Sequence, residues 1–478
     1  MRQRTSACAY TGTDLLSASL DWSRVMARAA EIVWTRSLGA EAVAAASTRR
    51  LTELARFARS RSPFYRAAWR SLPRRDLSLH ELPVVTKRDL MAHFDDWATE
   101  RTVTREAVNE FISDKRRIGE RFLDRFLVWK SSGSTGEPGI FVHDDAALSC
   151  YDALLAVQLQ TANAADAYLW SVLTQDRRAA LVTAIDDHFA SIASWQRARR
   201  AMPWSHAKAF SVMDPLPKLV DKLNEYQPAF LASYPSTLAL LADEKVAGRL
   251  HIAPACIWSG GEYLADRVRA SIEAAFASML IDEYGASECL SIACSCAAGT
   301  LHVNADWVIL EPVDRNYRPV PPGESSHTVL LTNLANRIHP IIRYDLGDSV
   351  AINATACCCG SPLPAITVQG RHDDVLAVRS ASGLPVRLSP LALTTVVEGV
   401  LPSGRFQLVQ TAPAQIALRL SATNPDERRA GWDAAKRALR NYLAQQSLNN
   451  VDVVLDSRFP VADERSGKLR EVIAERSV

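Results

Sequence analysis

Apolar positions along this chain change their spacing twice, and each change marks a different kind of structure. From residue 15 to 70 they recur at helical intervals among alanines and arginines (RVMARAAEIVWTRSLGAEAVAAASTRRLTELARFARS), which predicts helix. SPFYRAAWRSLP and LSLHELPVVTKRDL then read as turns and short helices. Beyond the apolar run Phe126-Leu127-Val128-Trp129, helical stretches alternate with AYLWSVLT, PAFLASYP, ACIWSG, MLIDEYG and HTVLLTNL, most of them bordered by Gly, Pro or Ser. Short β-like runs between helices indicate an α/β domain of mixed sheets. Past Gly370 the texture changes again. VLAVRS, FQLVQ, IALRLS and VDVVLDS read as strands, and PDERRAGWDAAKRALRNYLAQQ as one amphipathic helix with Pro425 near its start. The expected organisation is a helical segment (1–70), a large α/β domain (71–370) and a small mobile α+β lid domain (371–478).

Composition narrows the classes of function. At 478 residues the chain exceeds the size at which one core stops growing, in keeping with more than one domain. Its 55 basic and 53 acidic residues leave a formal charge of +2, which argues against a nucleic-acid binder or a polybasic membrane surface. No stretch reaches the roughly 18–20 consecutive apolar residues of a membrane helix, and the amino terminus lacks a sustained apolar region, so a soluble, cytoplasmic protein is expected. Nine cysteines, an odd number, argue against a disulfide framework. Their placement says more: six of the nine fall between Cys289 and Cys359.

Lys130 is followed by SSGSTGEPG (131–139), whose three glycines and four hydroxyl residues allow backbone amides to close on a polyphosphate. The loop lacks the Gly-Lys-Ser/Thr ending of a Walker A motif. Five more motifs follow in order: SGGEYL (259–264), DEYGASE (282–288), RYDLGD (343–348), GRHDD (370–374) and SGKLR (466–470). This ordered set, spanning roughly residues 60–475, resembles the adenylate-forming superfamily of acyl-CoA synthetases. Within it the closest likeness is to the phenylacetate–CoA ligase-like branch, which includes synthetases that adenylylate a deazaflavin coenzyme.

The resemblance implies a role for each matching residue. Ser132, Gly133, Ser134, Thr135 and Gly136 would wrap the β- and γ-phosphates of ATP. Gly260, Gly261 and Glu262 would line the adenine pocket, with Tyr284 and Gly285 flanking the base. Glu288 would hold Mg²⁺, and Asp348 would accept from the ribose hydroxyls with Arg371 close by. Asp373 would be the hinge, and Lys468 would bridge the carboxylate and the α-phosphate. These residue types suit the chemistry. A carboxylate attacking an α-phosphorus brings two anions together, so cations must neutralise charge as the transition state forms. A lysine is a compact point charge on a flexible stem, fit for a swinging domain. One departure is Glu137, followed by Pro138, where related loops carry lysine. Pointing outward it would not repel phosphate, and the Glu-Pro-Gly-Ile-Phe pattern leans toward the coenzyme-adenylylating side of the branch.

Cys296 and His302 lie six apart across an Ala-Gly turn, and Cys357 and Cys359 form a C-x-C pair before Gly360. Three thiolates and an imidazole make the tetrahedral set of a closed, structural Zn²⁺ site, within a zinc-bearing insert around 289–360. Some members of the resembled branch carry a metal in this region, and the likeness points to the same four residues. Cys294 and Cys358 are the nearest substitutes, while His339 is expected to pack or hydrogen-bond locally. His188, Phe189, Tyr234 and Pro235 lie where the family builds its acid pocket, with a flat apolar acid expected there.

The reading that follows is an ATP-dependent ligase forming an acyl-AMP from an aromatic acid. It then transfers the acyl group to the phosphopantetheine thiol of coenzyme A or an acyl carrier protein. The alternatives are a nucleotidyltransferase that adenylylates a hydroxyl of a coenzyme-like substrate, and an inactive zinc-stabilised binding module. The amino-terminal helices either cover an edge of the sheet or mediate self-association into a homodimer.

Overall fold

The computed structural model describes residues 12–131, 139–161, 178–201, 206–369, 375–401, 405–461 and 470–474. Ser132, Gly133, Ser134, Thr135, Gly136, Arg371, Asp373 and Lys468 lie outside these, as do Glu137, Pro138 and the AYLWSVLT run.

The amino-terminal helical periodicity is realised as helices Gly12–Ser37, Ala40–Arg61 and Pro63–Ala68. Arginines fasten the first two to the large domain. Arg36 Nη2 lies 2.9 Å from Asp306 Oδ1, and the guanidinium groups of Arg50 and Arg28 stand 3.6 and 4.4 Å over the Trp307 ring.

Next come β1 (Leu127–Lys130) and β2 (Ile140–His143), an antiparallel pair on either side of the Ser/Gly-rich loop. The central sheet uses β3 (Ala179–Thr183), β4 (Ala207–Ser211), β5 (Phe230–Ser233), β6 (Cys256–Gly260), β7 (Met279–Ala286), β8 (Cys289–Ser295) and β9 (Leu301–Val303). After β10 (Val308–Val313), β11 (Thr328–Asn333) and β12 (Ile341–Asp345), which form a separate three-stranded sheet, β13 (Ser349–Ile352) and β14 (Ala365–Gln369) complete it. The order is β13-β14-β9-β8-β7-β6-β5-β3-β4, nine strands. It is parallel from β4 to β7 and antiparallel from β7 to β13. The stretch 289–360 is therefore woven into this sheet and its neighbour rather than inserted beside them.

Alternation along the parallel strands divides the packing between two faces. Leu181, Ala232, Trp258 and Ile281 join one apolar core with Trp129, Phe141 and Ile192. Their strand neighbours Val182, Leu231, Ile257 and Leu280 join a second core on the other face.

The second core continues into the carboxy-terminal part, where β15 (Leu376–Arg379) and β16 (Pro385–Leu388) form a hairpin. Strands β17 (Phe406–Ala412), β18 (Gln415–Leu420), β19 (Asp452–Leu455) and β20 (Val472–Ala474) make a sheet ordered β19-β18-β17-β20. Helix Pro425–Gln445 covers it and buries Ala435, Leu439, Tyr442 and Leu443. Its start is written in the sequence: the Asn424 side chain accepts from the Asp426 N–H, Pro425 opens the first turn, and Asp426 and Glu427 suit the helix dipole. An Arg387–Asp243 ion pair and a 3.0 Å bond from Gln446 Nε2 to the Met213 carbonyl join this unit to the large domain. Among the described residues no helix is long and apolar enough to cross a membrane.

Candidate active site and cysteine cluster

A cavity of about 1720 Å³ opens at the carboxyl ends of β5, β6 and β7, with Arg387, Thr394 and Glu398 of the small unit on its far wall. Carboxyl ends of parallel strands are where an α/β sheet ordinarily presents a ligand site. Three separated motifs meet here.

The first is the turn after β6. Gly261 has φ 80°, and a Cβ on it would stand 2.8 Å from the Tyr234 ring, so both conformation and space require glycine. The turn delivers Glu262 to the start of helix Pro235–Val246, where its carboxylate accepts from the Ser236 N–H and hydroxyl, each at 3.0 Å. Negative charge is favoured at a helix amino terminus.

DEYGASE forms the end of β7 and the tight reversal into β8. A Cβ on Gly285 would come within 2.0 Å of the Leu290 carbonyl oxygen, so the two strands close only over glycine. The reversal aims Tyr284 and Glu288 at RYDLGD. The Tyr284 hydroxyl donates to Asp348 Oδ2 at 2.8 Å, and the Tyr344 hydroxyl donates to Glu288 Oε1 at 2.6 Å. Arg343, with φ 50°, takes a left-handed conformation that costs an ordinary residue roughly 1–2 kcal/mol. Its guanidinium Nε bonds Glu311 at 3.1 Å, and its main chain pairs with Thr332 and Val85, which holds the kink.

Acidic groups dominate the floor, and burial disfavours their charged forms. It pushes Asp282 up to about 6 against the pull of Arg269, and Glu283 up to about 7. Glu288 is also raised by burial, with the Tyr344 hydroxyl opposing. Arg267, Arg269 and Lys87 line the same cavity as counter-charges.

Gly261, Glu262, Tyr284, Gly285, Glu288 and Asp348 thus converge on one cleft, with Gly260 ending the strand just before it. Pro235 lines it too. Tyr234 sits behind Gly261, its hydroxyl 2.9 Å from Thr183 Oγ1 and 3.3 Å from Ser191 Oγ. Phe189 packs beside Lys130, whose ammonium is 2.5 Å from Asp187. His188 does not join them. It is buried against Phe111, its Nε2 lies 3.2 Å from the Asp114 carbonyl oxygen, and desolvation lowers its pKa. His339 packs as expected, stacked 3.9 Å from Trp97 with Nδ1 accepting from the Val142 N–H.

Asp282, Glu283 and Tyr344 stood inside the quoted motifs without a role. An available signal was overlooked at Glu283, a carboxylate in the apolar run MLIDEYG at a position whose alternation points it to the same face as Ile281.

At the far end of the antiparallel half, Cys296, His302, Cys357 and Cys359 bring their ligand atoms within 4.8 Å of one another. Two turns present the thiols, one closed by Gly299 N–H to the Cys296 carbonyl and the other by Gly360 N–H to the Cys357 carbonyl. The β9–β14 pairing supplies His302. Cys296 and Cys357 sulfurs are 3.8 Å apart, and Cys359 Sγ is 3.3 Å from His302 Nε2. A tetrahedral centre with metal–sulfur bonds of about 2.3 Å sets its sulfurs about 3.8 Å apart. His302 Nδ1, 3.0 Å from the Leu363 carbonyl, fixes Nε2 toward the thiols, the usual outer-shell arrangement of a ligating histidine. The Cys357 thiol is drawn down to about 5, first by the Cys359 backbone N–H and then by Thr300 and His302. The residues present fit a structural Zn²⁺. Cys294 is buried in β8 and Cys358 is exposed; neither belongs to the group of four.

No family model and no curated protein matches the chain. Solved structures do. A 2-hydroxyisobutyryl-CoA ligase holding 2-HIB-AMP and CoA in its thioesterification state superposes with a TM-score of 0.52, at 21% identity over 91% of this chain and 90% of that one. The same ligase in its postadenylation state with 2-HIB-AMP gives a TM-score of 0.50, at 21% identity over 91% and 89%. The chain therefore has the fold of the adenylate-forming acyl-CoA ligases.

Proposed function

We propose that this protein is an AMP-forming acid–thiol ligase: it activates a carboxylic acid with ATP and transfers the acyl group to a phosphopantetheine thiol, that of coenzyme A or of a carrier protein. The observation that carries the reading is the pair of bonds Tyr284–Asp348 and Tyr344–Glu288, which tie two distant motifs into one cleft beside Glu262. That cleft lies in a fold whose solved examples hold an acyl-AMP and CoA.

In the first step a carboxylate oxygen attacks the α-phosphorus of ATP and pyrophosphate leaves. In the second a thiolate attacks the acyl carbonyl and AMP departs with the bridging oxygen. Asp348 would accept from the ribose hydroxyls, with Tyr284 holding its carboxylate in place and flanking the base together with Gly260, Gly261, Glu262 and Gly285. Glu288 would hold Mg²⁺, which supplies positive charge to the phosphates; a hard oxygen ligand suits that ion. Ser132 to Gly136 would wrap the phosphates, Lys468 would neutralise charge between the reacting anions, and the small domain (371–478) would rotate about Asp373 with Arg371 near the ribose. Tyr234, Pro235 and Phe189 would border the acid, aromatic in the fullest form of the proposal. The phenylacetate–CoA ligase-like subtype and a cytoplasmic location belong to the same reading. The Cys₃His group would bind Zn²⁺ as a closed structural site.

The test is acid-dependent ATP–pyrophosphate exchange across a carboxylic-acid panel, with and without coenzyme A. Exchange with at least one acid, and release of AMP on adding the thiol, are expected; exchange with none would overturn the proposal.

A further inference from the structure

Glu288 stands in a turn of only two residues. Ala286 pairs with Cys289, so Ser287 and Glu288 alone reverse the chain between β7 and β8. Their carbonyls fall outside the strand ladder and need partners from elsewhere, since a main-chain acceptor left unmet away from water is costly. Three side-chain N–H groups meet them. The Trp129 indole donates to the Ser287 carbonyl at 2.7 Å, and His143 Nε2 is 3.3 Å from the same oxygen. Asn333 Nδ2 donates to the Glu288 carbonyl at 3.0 Å.

These donors are tied to one another. Trp129 and His143 stack at 4.0 Å on β1 and β2, the two strands that flank the Ser/Gly-rich loop. Asn333, the last residue of β11, also donates to the Tyr151 hydroxyl at 2.8 Å, and that hydroxyl lies 3.3 Å from His143 Nδ1. The Ala335 N–H bonds Asn333 Oδ1, which fixes the end of the amide that donates. Trp129, His143 and Asn333 are fully buried. Burial keeps the imidazole neutral, its pKa lowered to about 3. A neutral ring carries one proton; with the Tyr151 hydroxyl donating to Nδ1, that proton sits on Nε2 and points at Ser287.

The network braces the turn from the side away from the cleft. Inside the cleft, Glu288 Oε1 accepts from the Tyr344 hydroxyl at 2.6 Å. Burial disfavours the Glu288 carboxylate and the charge of Asp348 repels it, so an unbraced turn would swing it toward water. All three bracing donors are neutral. They fix the backbone without bringing a cation that would compete for the carboxylate.

We infer that His143, Tyr151 and Asn333 are positioning residues, which hold the Ser287–Glu288 turn so that the Glu288 carboxylate stays aimed at the divalent metal ion of the bound nucleotide. This rests on the acid-activating reading above, in which Glu288 is the Mg²⁺ ligand. Outer groups that orient a metal-binding side chain typically change metal affinity about 10- to 100-fold when removed.

The experiment titrates Mn²⁺, read by paramagnetic resonance, into the protein complexed with an ATP analogue bearing a methylene group between its α- and β-phosphorus atoms. Wild type, His143→Phe, His143→Gln and Tyr151→Phe are compared, with thermal melts reporting whether each is folded. His143→Phe keeps a ring against Trp129 but removes both nitrogens, and should weaken Mn²⁺ binding by about 10-fold or more. His143→Gln, whose amide N–H reaches the place of Nε2, should recover most of that loss. Tyr151→Phe removes only the linking hydroxyl and should cost about 2- to 10-fold. The KM for the acid in pyrophosphate exchange at saturating Mg²⁺ should stay near the wild-type value throughout. A merely structural network would lower the melting temperature and leave the Mn²⁺ affinity of the folded protein unchanged. Wild-type Mn²⁺ affinity in a folded His143→Phe variant would overturn the inference, as would equal weakening in the glutamine and phenylalanine variants. Loss of folding in His143→Phe leaves Tyr151→Phe to decide by the same titration. Absence of exchange with every acid would sink the parent proposal instead, and the metal titration, which needs no turnover, still decides this one.

Discussion

Tyr284 and Tyr344 do for this cleft what a single residue seldom does: each hydroxyl fixes a carboxylate that comes from another part of the chain. Tyr284→Phe removes one neutral-to-charged bond to Asp348. A bond of this kind contributes roughly 1–2 kcal/mol, so the Michaelis constant for ATP should rise about 5- to 30-fold while the melting temperature moves little. Lys468→Ala should lower the adenylation rate by roughly 10²-fold or more with ATP binding largely retained, measured by single-turnover kinetics beside nucleotide titration. Near-normal turnover would show that the catalytic lysine is elsewhere. Glu283 adds a pH signature. Burial raises its folded pKa to about 7, above the ordinary 4.5, so the folded state holds the extra proton and stability falls as pH rises through that window. Relative to Glu283→Gln, wild type should lose up to roughly 2–3 kcal/mol between pH 5 and pH 8; an equal slope in both proteins would contradict the assignment. The glycines and acids of the motifs were legible because their types are demanded by turns and charge. A histidine beside an aromatic says nothing in sequence about which of the two faces the cleft; the structure buries His188, with Nε2 3.2 Å from the Asp114 carbonyl oxygen.

At the scale of elements, local signals were enough for most strands and for helix Pro425–Gln445, whose cap, proline and apolar face are all within one window of sequence. They could not show that β8, β9, β13 and β14 complete the main sheet while β10 to β12 form its neighbour. That depends on β14 pairing with β9, a contact between segments far apart in the chain, and a strand three residues long such as β9 has no periodicity to read. The same pairing assembles the cysteine cluster, which links its chemistry to the stability of the sheet edge. Protein purified without chelator should carry about one equivalent of zinc, since a closed Cys₃His set leaves no position for water. Cys296→Ser and Cys357→Ser should each lose the metal and lower the melting temperature by several degrees, with acyl-AMP formation at low temperature affected less than stability. Metal content well below one equivalent, or a serine variant that melts like wild type, would remove the structural zinc from the account.

For the whole molecule, the cleft is lined by residues of both the large and the carboxy-terminal parts. Their direct polar links among the described residues include the half-exposed Arg387–Asp243 pair and the single Gln446–Met213 bond. A partly exposed ion pair contributes about 1 kcal/mol or less, so these polar links add little to the apolar core that the two parts share. The central claim is that the carboxylate attacks the α-phosphorus and that the oxygen it contributes leaves with AMP. An acid labelled with ¹⁸O in its carboxylate tests this directly: after turnover with ATP and thiol, mass spectrometry of the product AMP should find one labelled oxygen. Thioester formed with unlabelled AMP would contradict the acyl-adenylate and require a different first step.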